Sequence, residues 1–412
     1  MKLLIIVIVI VSGLIFTNCS GEKPKQFRFS KEEIASLDLG STQEIRLLLD
    51  SIITFDLNPL LKDRNFDFGG KIKSIKFMPL ETNTESLISD IEQVIVADSN
   101  IYICTDHMLN SVFIFDINGK YISKIQKGQG PADILLLKGI SYDYTKNELI
   151  VYHSNYLSFF TNNGKFKRKE KIPLGAYGFI LTPDAYLFQA EHRVDNSHLG
   201  FSEKYQILIT DKSFSLKTKS FPYRFSMDNN YGGSFINAIN DTTNITIHFN
   251  FVDTIFQYVD NHTVKAKYYF DIKDKSIPER ILVDASAREF WSAIEQNDYY
   301  YFTGEFNETD THLSISYYNR FIRKRSEFFI DKGTNNIIGG TGLEYQTKDF
   351  PGLSSPIAAK GRYFISYLQP YDIIDKLKML DNPMISNDDI IRLNELVEDD
   401  NPVLIFYELK EF

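Results

Sequence analysis

Between Ile91 and Pro131 the chain reads IEQVIVADSNIYICTDHMLNSVFIFDINGKYISKIQKGQGP, a series of short apolar runs broken at Asp98-Ser99-Asn100, across Asp106 to Asn110 and at Asn118-Gly119. Runs this short, separated by turn residues, predict four strands joined by tight turns. Asn118-Gly119 predicts a type I′ hairpin, because both of its central residues take positive φ. Four antiparallel strands in about 40 residues make one blade of a β-propeller.

The unit recurs. FIFDINGKY from Phe113 to Tyr121 is echoed by LSFFTNNGKF from Leu157 to Phe166, which puts Gly119 and Gly164 in one role 45 residues apart. Weaker copies follow around Ser213, His262 and Arg320, at steps of 49, 49 and 58 residues. An inner series of turns falls at Asn100, Asn147, Asp184, Asn244, Asp298 and Gly361, six in all. Repeats of this length mark an array of identical units, and six four-stranded units predict an all-β, closed six-bladed propeller over residues 71–412. Lys71 to Leu80, KIKSIKFMPL, is a strand that stands before the first complete blade. It is expected to complete the last blade beside Val403 to Leu409. Within that last blade, residues 369–402 read as a helical insert: Ser386 caps DDIIRLNELVE, Asp388 and Asp389 suit the helix dipole, and Ile390, Leu393 and Val397 share a face.

Composition narrows the class. With 412 residues the chain buries a large core, and 33 Phe and 24 Tyr against one Trp suit strands packed face to face. The net charge of −9 and a pI near 5.4 exclude a general nucleic-acid partner, whose phosphates such a surface repels.

The first 19 residues are a targeting segment. Lys2 gives a positive start, Leu3 to Phe16 an apolar run too short to span a bilayer comfortably, and Cys19 follows. The arrangement resembles a bacterial lipoprotein signal, which implies lipid attachment at Cys19. A signal peptide cleaved elsewhere is the other reading. Cys104, in the apolar run IYIC, is expected to be a buried thiol, so no disulfide is expected. Residues 20–70 carry no blade pattern and read as a tether and N-terminal extension, with Ser30 and Glu33 opening a short helix.

Candidate chemistry is sparse. Gly128-Gln129-Gly130-Pro131 and Gly339-Gly340-Thr341-Gly342 lack the lysine and hydroxyl of a phosphate-binding loop, and read as connections. The histidines at 107, 153, 192, 198, 248, 262 and 312 show no zinc spacing, so no metal or cofactor is expected. No G-x-S-x-G occurs, and Asp399-Asp400 lies beside a helix end. Asp50-Ser51-Ile52, Asp241-Thr242-Thr243 and Asp253-Thr254-Ile255 match an Asp, Ser/Thr, apolar acceptor pattern for O-glycosylation. The residues expected at an axial mouth, able to stack on or hydrogen-bond a ligand without activating water, are His107, Arg193, Tyr231 and Trp291.

Taken together, MPLET at 78–82, SDIEQVIVADSNIYI, FDINGK, KGQGP at 127–131, DTIFQY at 253–258 and NPVLIFYELK at 401–410 resemble the six-bladed β-propeller lipoproteins of Bacteroidota. The resemblance runs from about residue 50 to the end and implies fold and address rather than chemistry. Ala132-Asp133 stands where members often carry Gly-Glu. The expected function is an envelope lipoprotein, placed at the outer membrane, whose propeller binds or scaffolds a glycan, peptide or protein partner without catalysis and meets the membrane through its lipid. The alternative is a propeller enzyme of lyase or hydrolase type with its site at the axial mouth.

Overall fold

The apolar runs fold into six four-stranded antiparallel sheets set in a ring, a β-propeller. The computed structural model describes residues 29–61, 68–105, 110–190, 195–223, 234–239, 244–341, 353–377 and 384–412. Helix α1 (Lys31–Ser36) and strands β1 (Gln43–Glu44), β2 (Arg46–Leu48), β3 (Ile53–Asp56) and β4 (Ile72–Pro79) come first. Blade 1 is β5 (Gln93–Val96), β6 (Asn100–Cys104), β7 (Val112–Asp116) and β8 (Tyr121–Ile125). Blade 2 is β9 (Leu137–Asp143), β10 (Glu148–His153), β11 (Tyr156–Thr161) and β12 (Phe166–Lys171). Blade 3 is β13 (Gly178–Leu181), β14 (Ala185–Gln189), β15 (Tyr205–Asp211) and β16 (Leu216–Pro222). Blade 4 is β17 (Ser234–Ile239), β18 (Asn244–Phe249), β19 (Thr254–Asp260) and β20 (Thr263–Asp271), followed by helices α2 (Glu279–Val283) and α3 (Ala287–Gln296). Blade 5 is β21 (Tyr301–Glu308), β22 (His312–Asn319), β23 (Lys324–Asp331) and β24 (Ile337–Thr341). Blade 6 is β25 (Ala358–Lys360), β26 (Tyr363–Leu368) and β27 (Val403–Leu409), with helices α4 (Pro370–Leu377) and α5 (Asn387–Asn394) between the last two, and β4 as its fourth strand.

The first strand of each blade is innermost, and consecutive first strands touch around the ring until β25 meets β5. Middle strands such as β6 and β14 are buried along their whole length because neighbouring blades cover both of their sides, which is why they read as unbroken apolar runs. The edge strand β12 alternates between half-buried and exposed positions. Closure is antiparallel: β4 pairs with β27 from Pro79 opposite Val403 to Ile72 opposite Leu409. Helix α5, capped by Ser386, then covers that edge, with Asp389 accepting a hydrogen bond from the Phe77 N–H at 3.3 Å.

Two consequences of the topology matter for function. Because strands alternate in direction, the second-to-third turns and the blade-to-blade connections open on one face of the ring, here the upper face. The first-to-second and third-to-fourth turns open on the lower face.

The segment expected to be a tether is, in its described part, a belt around the outside of the ring. The Leu37 carbonyl accepts from Leu216 N at 2.7 Å, β1 adds in parallel to β16, and β2 and β3 add in parallel to β20. Leu61 then accepts from Tyr300 Oη and Thr341 Oγ1, and Phe68 packs between Phe329 of blade 5 and Tyr407 of blade 6. The belt satisfies edge groups on blades 3 and 4 that would otherwise pair with another chain. Its helix α1 carries the capping box expected of Ser30 and Glu33.

Several local expectations change. The turn at Gly119 is not type I′: Gly119 has φ of 85°, Asn118 does not take positive φ, and Asp116 N donates to Lys120 O across a longer loop. This is a type I turn closed by a glycine bulge, with the Asp116 carboxylate accepting from Asn118 N and Lys120 N. Gly164 repeats it, and Phe214 (φ 66°) fills the same place in blade 3. Arg320 lies in the second-to-third turn of blade 5, not in a third-to-fourth turn, and Asp298 precedes β21 rather than turning an inner hairpin. Blade 5 begins one strand later than the repeat suggests, because α2 and α3 occupy the intervening chain. Val397 lies beyond α5 and is exposed, while Leu393 is buried. Cys104 is buried as expected, and burial pushes its thiol up to about 12.

Candidate functional site

The upper face gathers the exposed apolar side chains. Leu87, Leu135, Leu136, Tyr177, Phe201, Phe321, Ile322 and Tyr371 all stand exposed in connections that open there. The lower face shows Ile117, Val259 and Tyr363.

At the axis, Leu136 and Tyr177 are the residues immediately before the innermost strands β9 and β13, and they are 67% and 53% exposed. Lys138 ties the two connections together: its Nζ donates to Ala176 O at 2.5 Å and Tyr152 Oη at 3.3 Å, and sits 4.8 Å from the Tyr152 ring centroid. The connection leading to Leu135 is KGQGPAD. Its Asp133 carboxylate folds back to accept from Gly130 N at 2.8 Å and lies where a Cβ on residue 128 would be, so Gly128 is required by close approach rather than by ligand binding. Leu135 N donates to His153 Nδ1 and Ser154 Oγ donates to Leu135 O, which fixes both leucines above blade 2. Burial lowers His153 to about 4, with Lys169 adding to the effect, so the ring is a neutral acceptor.

A second upper-face feature was not legible as a repeat. Helices α2 and α3 form a small hairpin over blades 4 and 5, packed through Phe251, Phe290 and Ile294. Ser286 and Glu289 cap α3 reciprocally, and Ser-x-x-Glu before Phe290, Trp291 and Ile294 is the signal that marks this helix in the sequence. Trp291 is half-buried, with the Arg320 guanidinium 4.7 Å from its ring centroid and Arg320 Nε donating to Glu295 at 2.8 Å. It therefore stands above the middle strands of blade 5. Beneath the hairpin, Asp253 accepts from Tyr317 Oη at 2.8 Å and Ser276 Oγ at 3.3 Å. Burial pushes this carboxyl up to about 7 although both hydrogen bonds pull it down. Asp253 and Thr254 are half-buried and Ile255 is buried, whereas Asp50 and Ser51 lie on an exposed turn of the belt. Asp241-Thr242-Thr243 lies outside the described residues, as do Cys19, His107, Arg193 and Tyr231.

The lower end of the axis is crossed by Lys360, whose Nζ sits 4.9 Å from the Tyr144 ring, with Tyr142 and Tyr102 stacked behind it. Buried carboxylates elsewhere are held by cations: Glu308 by Lys267 and Lys332, Glu408 by Lys73 and Arg362, Glu148 by Lys167 and Arg168. Asp400 accepts from Val397 N and finishes the helical insert. His248 lies between Phe302 and Phe306, and burial drives it down to about 3. Among the described residues no group of three or more His, Cys, Asp or Glu side chains is placed to hold a metal ion.

Compared with known proteins, residues 52–408 match the model of a family described as a domain of unknown function, DUF4934. A candidate exported protein of Bacteroides fragilis shares the fold at a TM-score of 0.69 and 18% identity, over 88% of this chain and 100% of that one. A DUF4221 family member from Bacteroides vulgatus superposes at a TM-score of 0.47 and 11% identity, over 82% and 97%. No curated protein matches the chain.

Proposed function

We infer that this chain, which belongs to the DUF4934 family, is an envelope-anchored binding propeller whose upper face takes a polypeptide partner. The observation that carries the reading is the exposed apolar set on that face, above all Leu136 and Tyr177 at the lip of the axis. Apolar side chains held in water by ordered connections lose hydration cost when a partner covers them, and aromatic anchors dominate such interfaces. The aliphatic members favour a peptide or protein over a glycan, since a sugar gains from aromatic faces and polar groups more than from leucine. The buried carboxylates of Glu148, Glu308 and Glu408 are committed to ion pairs, and His153 and His248 to hydrogen bonding and packing, which supports binding rather than turnover.

The envelope address draws on Cys19 and on the candidate export of the Bacteroides fragilis relative in fold. No helix among the described residues is long and apolar enough to cross a membrane. In this reading the anchor is a lipid at Cys19. Cys19→Ala is expected to move the protein from the membrane to the soluble fraction, and unchanged retention would remove the lipid from the account. For binding, a panel of envelope peptides, proteins and glycans is assayed for saturable binding and for product, with and without a chelator. Saturable binding to a polypeptide without product is expected; chelator-sensitive product would replace this reading with the enzyme alternative.

A further inference from the structure

The outer strand of a blade is an open edge unless something lies along it, and in this molecule short segments do so readily. Two residues of β1 suffice on β16, and β2 and β3 add three and four residues on β20. The belt comes onto the ring at the end of β12, where Glu33 pairs with Lys171 at 2.6 Å and Lys171 Nζ sits 5.8 Å from the Phe29 ring centroid. From there it runs on over blades 3 and 4. The strand it leaves behind, β12, is the outer strand of blade 2, and among the described residues no group pairs with the outer side of its backbone over residues 166–171.

We propose that this edge of blade 2 is a docking surface, at which an extended acidic segment of a partner protein adds to β12 as a further strand. Alternate residues of an edge strand turn their N–H and C=O groups outward, so an added strand gains main-chain hydrogen bonds whatever its sequence, and its side chains decide the fit. Here charge decides it. Five of the seven residues from Lys165 to Lys171 are cations. Glu148 holds Lys167 and Arg168, Glu170 also holds Arg168, and Glu33 holds Lys171. Lys165 and Lys169 meet no carboxylate among the described residues: Lys169 Nζ rests 3.5 Å from the Asp133 carbonyl and 5.5 Å from the Tyr156 ring centroid, neither of them an ion. Such a row keeps the edge from pairing with a second copy of itself, since lysines set opposite lysines repel. Facing glutamates or aspartates, the same row attracts. The surface lies on the outer wall of the ring, apart from Leu136 and Tyr177 at the axis, and the proposal stands independently of their role.

The probe is a blocked octapeptide alternating valine and glutamate, labelled for fluorescence anisotropy and titrated with the full-length protein. Saturable binding is expected, and it should weaken in high salt as the charges are screened. Two comparison peptides, one with lysine in place of glutamate and one acidic with every amide N-methylated, should each bind about tenfold more weakly or worse. The first reverses the charge, and the second donates no main-chain hydrogen bond. Lys165→Glu with Lys169→Glu, at exposed positions, should lower affinity for the acidic peptide by about tenfold, two attractions becoming two repulsions. The melting temperature shows whether that variant keeps its fold, and the peptide comparisons, made on the unaltered protein, decide the matter if it does not. Amide hydrogen exchange should slow over residues 166–171 when the acidic peptide binds. No binding of the acidic peptide, equal binding of its N-methylated form, or slowed exchange confined to the upper-face connections would overturn the proposal; the last would assign the acidic peptide to the face that carries Leu136 and Tyr177.

Discussion

Asp253 is a carboxyl held far from its ordinary state, and its consequence for stability has a definite sign. Its carboxyl is raised to about 7 by burial, so the folded protein holds a proton that the unfolded chain releases near 4. The resulting stabilisation is fully present below about pH 4 and is lost as the pH rises through 7, a term of the order of a few kcal/mol. Asp253→Asn keeps the shape and removes the titration, so the fall in melting temperature between pH 5 and pH 8 should be smaller in the variant than in the wild type. An unchanged pH slope would show that Asp253 does not titrate in this window. Gly128 gives a second prediction. Gly128→Ala sets a methyl group against the Asp133 carboxylate and should cost about 1–3 kcal/mol, while adding Asp133→Ala should recover part of the loss in denaturant unfolding. Both residues show the limit of reading the chain alone. Gly128 announces itself as a glycine in a connection, but the reason for it is a contact five residues on. Asp253 looks like the start of a strand, and only the packing of Tyr317 and Ser276 around it reveals a buried acid.

At the scale of elements, strands bounded by turn residues were legible throughout blades 1 to 3, because turn chemistry is local. Blade 5 was not, since α2 and α3 displace its first strand and the repeat spacing takes the helices in as part of the blade. The belt was invisible for a different reason: β1, β2 and β3 are short parallel additions with mostly exposed side chains, so no periodicity marks them. Deleting residues 29–61 should uncover the edges of β16 and β20, and concentration-dependent association in size-exclusion chromatography is the expected outcome. A deletion variant that stays monomeric and melts like the wild type would show that the belt neither protects nor stabilises the ring. At the closure, Asp389→Ala removes the acceptor for Phe77 N on the edge of blade 6 and should destabilise by about 1–2 kcal/mol, read as a shift in denaturant midpoint.

At the scale of the whole molecule, the six-fold pattern fixes the ring, the ring sorts connections onto two faces, and the sorted connections carry the functional reading. The architecture was open to sequence because each blade repeats the same local grammar. The candidate site was not, because exposure at Leu136, Tyr177 or Phe321 depends on what the neighbouring connections leave uncovered. Trp291 stands out in the sequence as an aromatic able to stack, yet its place above blade 5 beside Arg320 is a product of the helical hairpin. The most direct test of the account compares the two faces in one assay. Binding of a polypeptide ligand from the panel is measured by calorimetry for the wild type, for Leu136→Ser with Tyr177→Ser, and for the lower-face pair Ile117→Ser with Tyr363→Ser. The account predicts a loss of at least tenfold in affinity for the upper-face pair and none for the lower-face pair; equal affinity in all three, or a loss confined to the lower-face pair, would contradict it.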